Sequence, residues 1–253
     1  MKIIITTCDK YVDIVHDHAY LLNKFSTIKK DITVLGFKEP AKKYPNNYKF
    51  VSMGKESDFG KNWSDPMRPF IENLKDDYFI LWLEDLLPIG KVDEELLNKG
   101  IELVSSKKVQ KVELFWACED HRIKSVPYNE DFIEIPQGVA YRSSVQPAIW
   151  DKEYFLHYLN KQMTIWDFEI KNSDKMMHDN AHWIMGKNKP IVPWVNIIRN
   201  GAFNETMWQD YLNSPDGCYQ KSEINPGEYQ NPETYFLTSD VAKIIGKYKG
   251  VVL

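Results

Sequence analysis

Apolar positions along this chain change their period several times, and each change predicts an element. Lys2 to Thr6 is a β-branched run that predicts a buried first strand. The break at Thr7, Cys8 and Asp9 is followed by Val12, Val15, Ala19, Leu22 and Phe25 at helical spacing, with Asp9 or Asp13 placed to cap the helix. Ile32 to Phe37 predicts a second strand, closed by Gly36 and Pro40, so the chain opens with a βαβ unit. Phe50 to Met53 predicts a third strand, Gly54 to Lys61 a polar loop, and Asn62 to Leu74 a helix with Asn62 or Ser64 as cap. Tyr78 to Leu83, YFILWL, has the composition of a strand buried on both faces. It stops at Glu84 and Asp85, and Pro88 ends the element.

Further on, Asp93 to Ser105 predicts a helix and Val109 to Ala117 a strand, followed by polar, irregular chain from Glu119 to Glu130. Strands are expected at Phe132 to Val139 and Ala140 to Ser144, and a helix at Lys152 to Lys161. Another helix begins near Trp166, Asp167, Phe168 and Glu169 and is expected to reach Met185. Ile191 to Ile198 is a last strand-like run. From Gly201 the pattern weakens; Asn213 to Pro232 reads as loop, and Ser239 to Tyr248 as a terminal helix.

Strands alternating with helices predict an α/β chain, and 253 residues suffice for one large domain or a domain with an extension. The formal net charge of -4 gives no overall electrostatic footprint for nucleic acid. Cys8, Cys118 and Cys218 are widely separated and lack CxxC spacing, which indicates neither a disulfide framework nor a zinc knuckle and suits a reducing cytosol. The apolar start meets Asp9 too soon for a signal segment, and no run approaches membrane-spanning length, so a cytoplasmic protein without a membrane span is expected. Neither GxGxxG nor GxxxxGK[ST] occurs.

The chemistry concentrates where the core strand ends. In open α/β sheets, ligands bind at the carboxyl ends of central strands. Adjacent carboxylates repel unless a cation or a proton relieves them. A hard divalent ion, Mg²⁺ or Mn²⁺, carrying substrate phosphates is the natural relief. The alternative is a strand-end turn whose acids cap a helix or meet solvent. The high aromatic content, with 8 Trp and 14 Tyr, fits a site that stacks sugars or flat rings, or equally a Trp-rich core.

YFILWLEDLLP, VDEEL, SSVQPAIWDKEYF, WDFE and IVPWVNIIRNG, in that order, resemble GT-A-type glycosyltransferases, and among them small bacterial and viral glycosyltransferase-like proteins. The resemblance runs from about Lys2 to Gly201. It implies a GT-A-like, Rossmann-like α/β/α sandwich with a central mixed, mostly parallel sheet: a catalytic domain over 1–201, and a C-terminal extension, 202–253, packed on the same domain. It also implies transfer of a sugar from a nucleoside-diphosphate sugar to a hydroxyl acceptor, with a glycan favoured over a nucleic acid.

By that resemblance Glu84 and Asp85 stand in the place of DxD-type acids that hold a divalent metal, although this chain reads ED and has no D-x-D triplet. Thr7, Cys8, Asp9 and Tyr11 would meet the nucleoside, with Trp63 and Arg68 beside the donor pocket. An acid on the acceptor side, Asp167 or Glu169, would act as general base in an inverting transfer, Asp167 being slightly preferred. Ser144, Gln146, Trp150 and Trp166 would line the acceptor side, and His182 would complete the metal shell.

Each assignment has a structural counterpart. Asp167 and Glu169 are placed where helix N-terminal acids are favoured by the helix dipole. Trp150 and Trp166 taken singly suit a core. His178 and His182, four apart, would share a helix face, but the sequence HDNAH lacks the Glu of a zincin. A sugar nucleotidyltransferase and a non-catalytic sugar-nucleotide or glycan-binding module are the alternative functions.

Overall fold

The computed structural model describes residues 2–27, 31–115, 124–199, 202–204, 244, 247 and 248, which form an α/β/α sandwich. Strands β1 (Lys2–Thr6), β2 (Ile32–Gly36), β3 (Tyr48–Ser52), β4 (Tyr78–Leu83), β6 (Lys111–Glu113), β7 (Val126–Pro127), β8 (Phe132–Glu134), β9 (Ala148–Asp151) and β10 (Trp183–Gly186) make one mixed sheet. Its order is β3-β2-β1-β4-β9-β6-β10-β8-β7. The pairs β1–β2, β2–β3, β1–β4 and β6–β10 are parallel. β9 runs antiparallel between β4 and β6. Outside this sheet, β5 (Leu86–Pro88) pairs with β11 (Trp194–Asn196), and β12 (Ile198–Arg199) with β13 (Ala202–Phe203).

Alternation along the strands builds two cores. Ile3, Ile5, Ile80 and Trp82 point to one face and pack with Val15, Ala19 and Leu22 of α1 (Ile14–Phe25) and with Leu96, Leu97 and Val104 of α4 (Glu94–Ser105). Ile4, Phe79, Leu81 and Trp150 point to the other. There they meet Met67 and Ile71 of α3 (Ser64–Glu72), Phe155 of α5 (Lys152–Tyr158) and Phe168 of α6 (Ile165–Met176). Full burial of side chains of this size contributes about 1.5–3 kcal/mol each.

Several boundaries differ from the sequence expectation. The loop after β3 contains a short helix, α2 (Glu56–Phe59). Leu86–Pro88 forms a separate strand rather than the end of β4. Only Phe132–Glu134 of the 132–144 stretch is strand; Arg142 turns inward and donates to the carbonyls of Ile135, Met176 and Ala181, occupying groups that would otherwise extend a ladder. The helix expected to reach Met185 ends at Met176. Asn180 then adopts a left-handed backbone (φ 61°), and Trp183–Gly186 joins the sheet. His178 and His182 therefore share no helix face. The end of the expected strand at Ala117, Cys118, the Asn213–Pro232 stretch and most of the terminal helix lie outside the described residues. No helix among the described residues is long and apolar enough to cross a membrane.

Candidate active site

The chain leaves β1 toward β2 and β3 on one side and returns to β4 on the other side of β1. Between the carboxyl ends of β1 and β4 the connections diverge and leave a crevice, the topological switch point at which open α/β sheets bind ligands. Register places Thr6 beside Leu83. The residues that follow, Thr7 and Cys8 on one strand and Glu84 and Asp85 on the other, therefore meet at that crevice.

Glu84 and Asp85 form the turn between β4 and β5. The turn is held by Ile197 N–H donating to the Asp85 carbonyl at 3.0 Å and by Trp82 Nε1 donating to the Leu86 carbonyl at 2.6 Å. Glu84 is buried (7% exposed), and its carboxylate accepts from its own N–H, the Thr7 hydroxyl and the Cys8 N–H. Burial, and then the Asp85 charge, push the Glu84 carboxyl well above its ordinary range. Burial pushes Asp85 up to about 7. Cys8 rises to about 11, mostly by burial and then by Glu84. The Tyr11 phenol is raised by burial, then by Cys8, Asp85 and Glu84, which places Tyr11 within the same field.

Asp9 lies at the rim. Its N–H donates to Glu56 Oε2 (2.8 Å) and its Oδ1 accepts from Lys38 N–H (2.8 Å), tying the loops after β1 and β2 to α2.

Two enclosed carboxylates and the Thr7 hydroxyl form an oxygen donor set of the kind that suits Mg²⁺ or Mn²⁺. Among the described residues no group of three His, Cys, Asp or Glu converges. The set therefore fits an ion that takes one or two carboxylates from protein and its remaining ligands from water and substrate phosphates.

Glu169 lies on α6, over the sheet face that holds Lys111 and Glu113. Its Oε1 accepts from Val145 N–H (2.8 Å), and the Ser144 side chain also donates to the carboxylate. Val145 lies just before Ala148, which pairs with Leu81 near the end of β4. Burial raises the Glu169 carboxyl, with Lys111 opposing. Asp167 is employed differently. It closes a capping box with Thr164 and pairs with Lys171 at 2.7 Å, and these partners, Lys171 first, hold it near 2.

The other expected site residues are placed as follows. Trp150 is fully buried on β9, stacked near Tyr154 and edge-on to Phe155 and Phe168, so it lines no open surface. Arg68 spends its fork on the Leu156 and Leu159 carbonyls and on Glu72, stitching α3 to the end of α5. Trp63 sits in the aromatic cluster with Phe155 and Phe168. His182 precedes β10, at the amino edge of the parallel strands, where Nδ1 meets Glu134 at 2.7 Å. It is thus on the opposite edge from Glu84 and Asp85 and outside any ion shell there. Ser144 is buried, and its carbonyl accepts from Lys111 Nζ (2.7 Å). Gln146 N–H donates to the Ser144 hydroxyl at 3.3 Å. Trp166 is 63% exposed on α6.

A buried ionic cluster under Ser144 was not anticipated. Lys111 and Glu113, both 1% exposed, pair at 2.9 Å, and the ammonium lies over the Trp150 and Trp183 rings at 4.5 and 4.2 Å. Glu113 Oε1 has no hydrogen-bond partner, and burial pushes this carboxyl up to about 7. The sequence signal was present as K-V-E: in a strand, residues two apart share one face.

No family model matches the sequence, and no curated protein is similar to it. Solved structures with related chain paths are UDP-glucose pyrophosphorylase complexed with UDP-glucose and TarS 1-349 of S. aureus. The first is 10% identical, with 77% of this chain and 92% of that chain covered and a TM-score of 0.45. The second is 10% identical, with 75% and 58% covered and a TM-score of 0.47. The apo form of UDP-glucose pyrophosphorylase gives a TM-score of 0.44 at 10% identity, with 77% and 92% covered.

Proposed function

We propose that this protein is a glycosyltransferase that moves a sugar from a nucleoside-diphosphate sugar to a hydroxyl acceptor, with inversion. The observation that carries the reading is the Glu84–Asp85 pair enclosed at the β1/β4 switch point, where burial and mutual repulsion favour a cation or a proton. A divalent ion held there would neutralise charge on the departing diphosphate. Asp85, the more exposed of the two acids, would be its main protein ligand, and Glu84, anchored by Thr7 and Cys8, would fix the turn and add a second oxygen.

We take Glu169 rather than Asp167 as the base. Proton transfer is most effective when the base has a pKa near the working pH. Glu169 is shifted upward by burial, whereas Asp167 is held near 2 by Lys171 and Thr164. Glu169 would take the acceptor hydroxyl proton as that oxygen bonds to the anomeric carbon and the bond from carbon to diphosphate oxygen breaks. One displacement inverts the centre.

The test is a thermal-shift screen of UDP, GDP, CDP and TDP sugars with and without Mn²⁺, on the natural protein and on Asp85→Asn. Ligand at a hundred times its dissociation constant adds about 2.7 kcal/mol. A metal-dependent shift with one nucleotide, absent in Asp85→Asn, is expected. Chromatography of the products then separates transfer, which yields free nucleoside diphosphate and a glycosylated acceptor, from nucleotidyl transfer, which consumes pyrophosphate and yields a nucleoside triphosphate. No shift with any donor overturns the reading.

A further inference from the structure

The opposite edge of the sheet carries an open cleft of ≈ 580 Å³, a size common to small-molecule sites. Three segments build it. Lys107, Lys108 and Gln110 come from the loop between α4 and β6, Tyr154, His157 and Tyr158 from α5, and Asp179 to His182 from the loop between α6 and β10. Gln110 and His182 directly precede parallel strands whose direction matches β4, so the cleft faces away from Glu84 and Asp85. The six residues of β4 alone span about 20 Å.

The cleft wall is organised by Asp179. Its Oδ2 accepts both phenol hydrogens, from Tyr154 at 2.7 Å and Tyr158 at 2.8 Å, while Oδ1 accepts from Ala181 N–H at 3.0 Å. With its hydrogen committed, the phenol oxygen of the half-buried Tyr154 retains a lone pair that can accept from a ligand, while Tyr158 is buried and backs the wall. The His157 ring stands edge-on to Tyr158 at 4.7 Å, and Gln110 holds the His182 N–H at 2.8 Å. Rings with polar edges thus alternate with amide, imidazole and ammonium groups in one preorganised concavity.

Charge decides against a simple anion site. Of the two lysines, Lys107 is already paired with Asp151 at 2.6 Å and lies 3.9 Å from Glu153, and the exposed Lys108 is matched in charge by Asp179, while His182 faces Glu134. The lining is close to balanced. A neutral polyol ring offers apolar C–H faces for aromatic rings and hydroxyls that both donate and accept.

From this lining we infer that the cleft is a saccharide-binding subsite, separate from the Glu84–Asp85 crevice and independent of what that crevice catalyses. The probes are the neutral disaccharides maltose, cellobiose, lactose and N,N′-diacetylchitobiose, observed by saturation-transfer NMR on the full chain, with inorganic phosphate as the comparison. At least one disaccharide is expected to receive saturation. His157→Ala and Tyr154→Phe, which alter an exposed ring and a single hydroxyl, are expected to weaken that sugar by roughly threefold to tenfold each. Glu84→Gln is expected to leave it unchanged, and so reports separately on the other site. Circular dichroism of each variant confirms the fold. The inference is overturned if no disaccharide binds, if binding is unchanged in both cleft variants, or if phosphate alone binds.

Discussion

A histidine enclosed by hydrocarbon stays neutral, and His18 is such a residue. It is fully buried on α1, edge-on to Trp82 at 5.0 Å, with no hydrogen-bond partner on either nitrogen. Burial lowers its pKa from 6.5 to about 3. The unfolded chain therefore binds the extra proton between those values, and stability falls as pH drops below 6.5. From pH 7 to pH 5 this residue alone should remove about 2 kcal/mol. Urea unfolding of the natural protein and His18→Leu at both pH values checks it; between pH 7 and pH 5 the natural protein should lose about 2 kcal/mol more than the variant. A second residue-scale prediction separates the two acids of α6. With a donor and acceptor in hand, Glu169→Gln should lower kcat by roughly 10²- to 10⁴-fold, whereas Asp167→Asn should change it less than about threefold. Equal losses would remove Glu169 as the base. The sequence disclosed that Glu84 and Asp85 end a core strand, because six apolar residues fix what comes before them. It did not disclose that Trp150 and Arg68 are structural, because residue type does not say which face of the sheet or helix receives a side chain.

At the scale of elements, the shortest pieces were the least legible. β6 and β8 fall inside stretches expected to be strand, but at three residues each their bounds carry no periodic signal, and the equally short β5 reads in the sequence as the end of β4; partners supply the ladders of all three. The helix expected to reach Met185 would have put His178 and His182 on one face, but the Asp179 side chain takes up the Tyr154 and Tyr158 hydroxyls and the Ala181 N–H, and the chain turns there. β6 shows the same limit for function. Lys and Glu at its ends suggest solvent, yet β9 and β10 cover them on both sides. Removing one partner of a buried ion pair strands the other charge, so Lys111→Met should destabilise by roughly 3–5 kcal/mol. Lys111→Met with Glu113→Leu should recover a large part of that loss. Guanidinium denaturation of the two single variants and the double variant measures the coupling; strict additivity would mean that the pair does not act as a unit.

The whole molecule has two edges with different chemistry, and only one was visible in the sequence. The order of strands explains why. Alternating strands and helices predict parallel neighbours, but β9 inserts antiparallel between β4 and β6 and carries Ser144 to Gln146 to the edge where Glu84 lies. Such an insertion depends on long-range pairing that no local window contains. The chain's end is a comparable long-range feature. Ile244, 7% exposed, enters an apolar cluster with Ile14 and Leu21 of α1, Leu87 of β5 with Ile89 just after it, and Val195, Ile197 and Ile198. Lys247 and Tyr248 reach Asp17 on the same helix at 2.8 and 2.6 Å. This cluster backs the strand that leaves the Glu84–Asp85 turn. Truncating a buried isoleucine costs about 2–5 kcal/mol. For a domain of this size each kcal/mol moves Tm by roughly 2–4 °C, so Ile244→Ala should lower Tm by about 4–20 °C. Lys247 is half exposed, and its ion pair is screened, so Lys247→Ala should cost less than about 1 kcal/mol. Scanning calorimetry of both variants decides whether the end of the chain is integral to the fold: a large loss for Ile244→Ala beside a small one for Lys247→Ala makes it so, and equal, small losses would mean that the sandwich holds β5 without it.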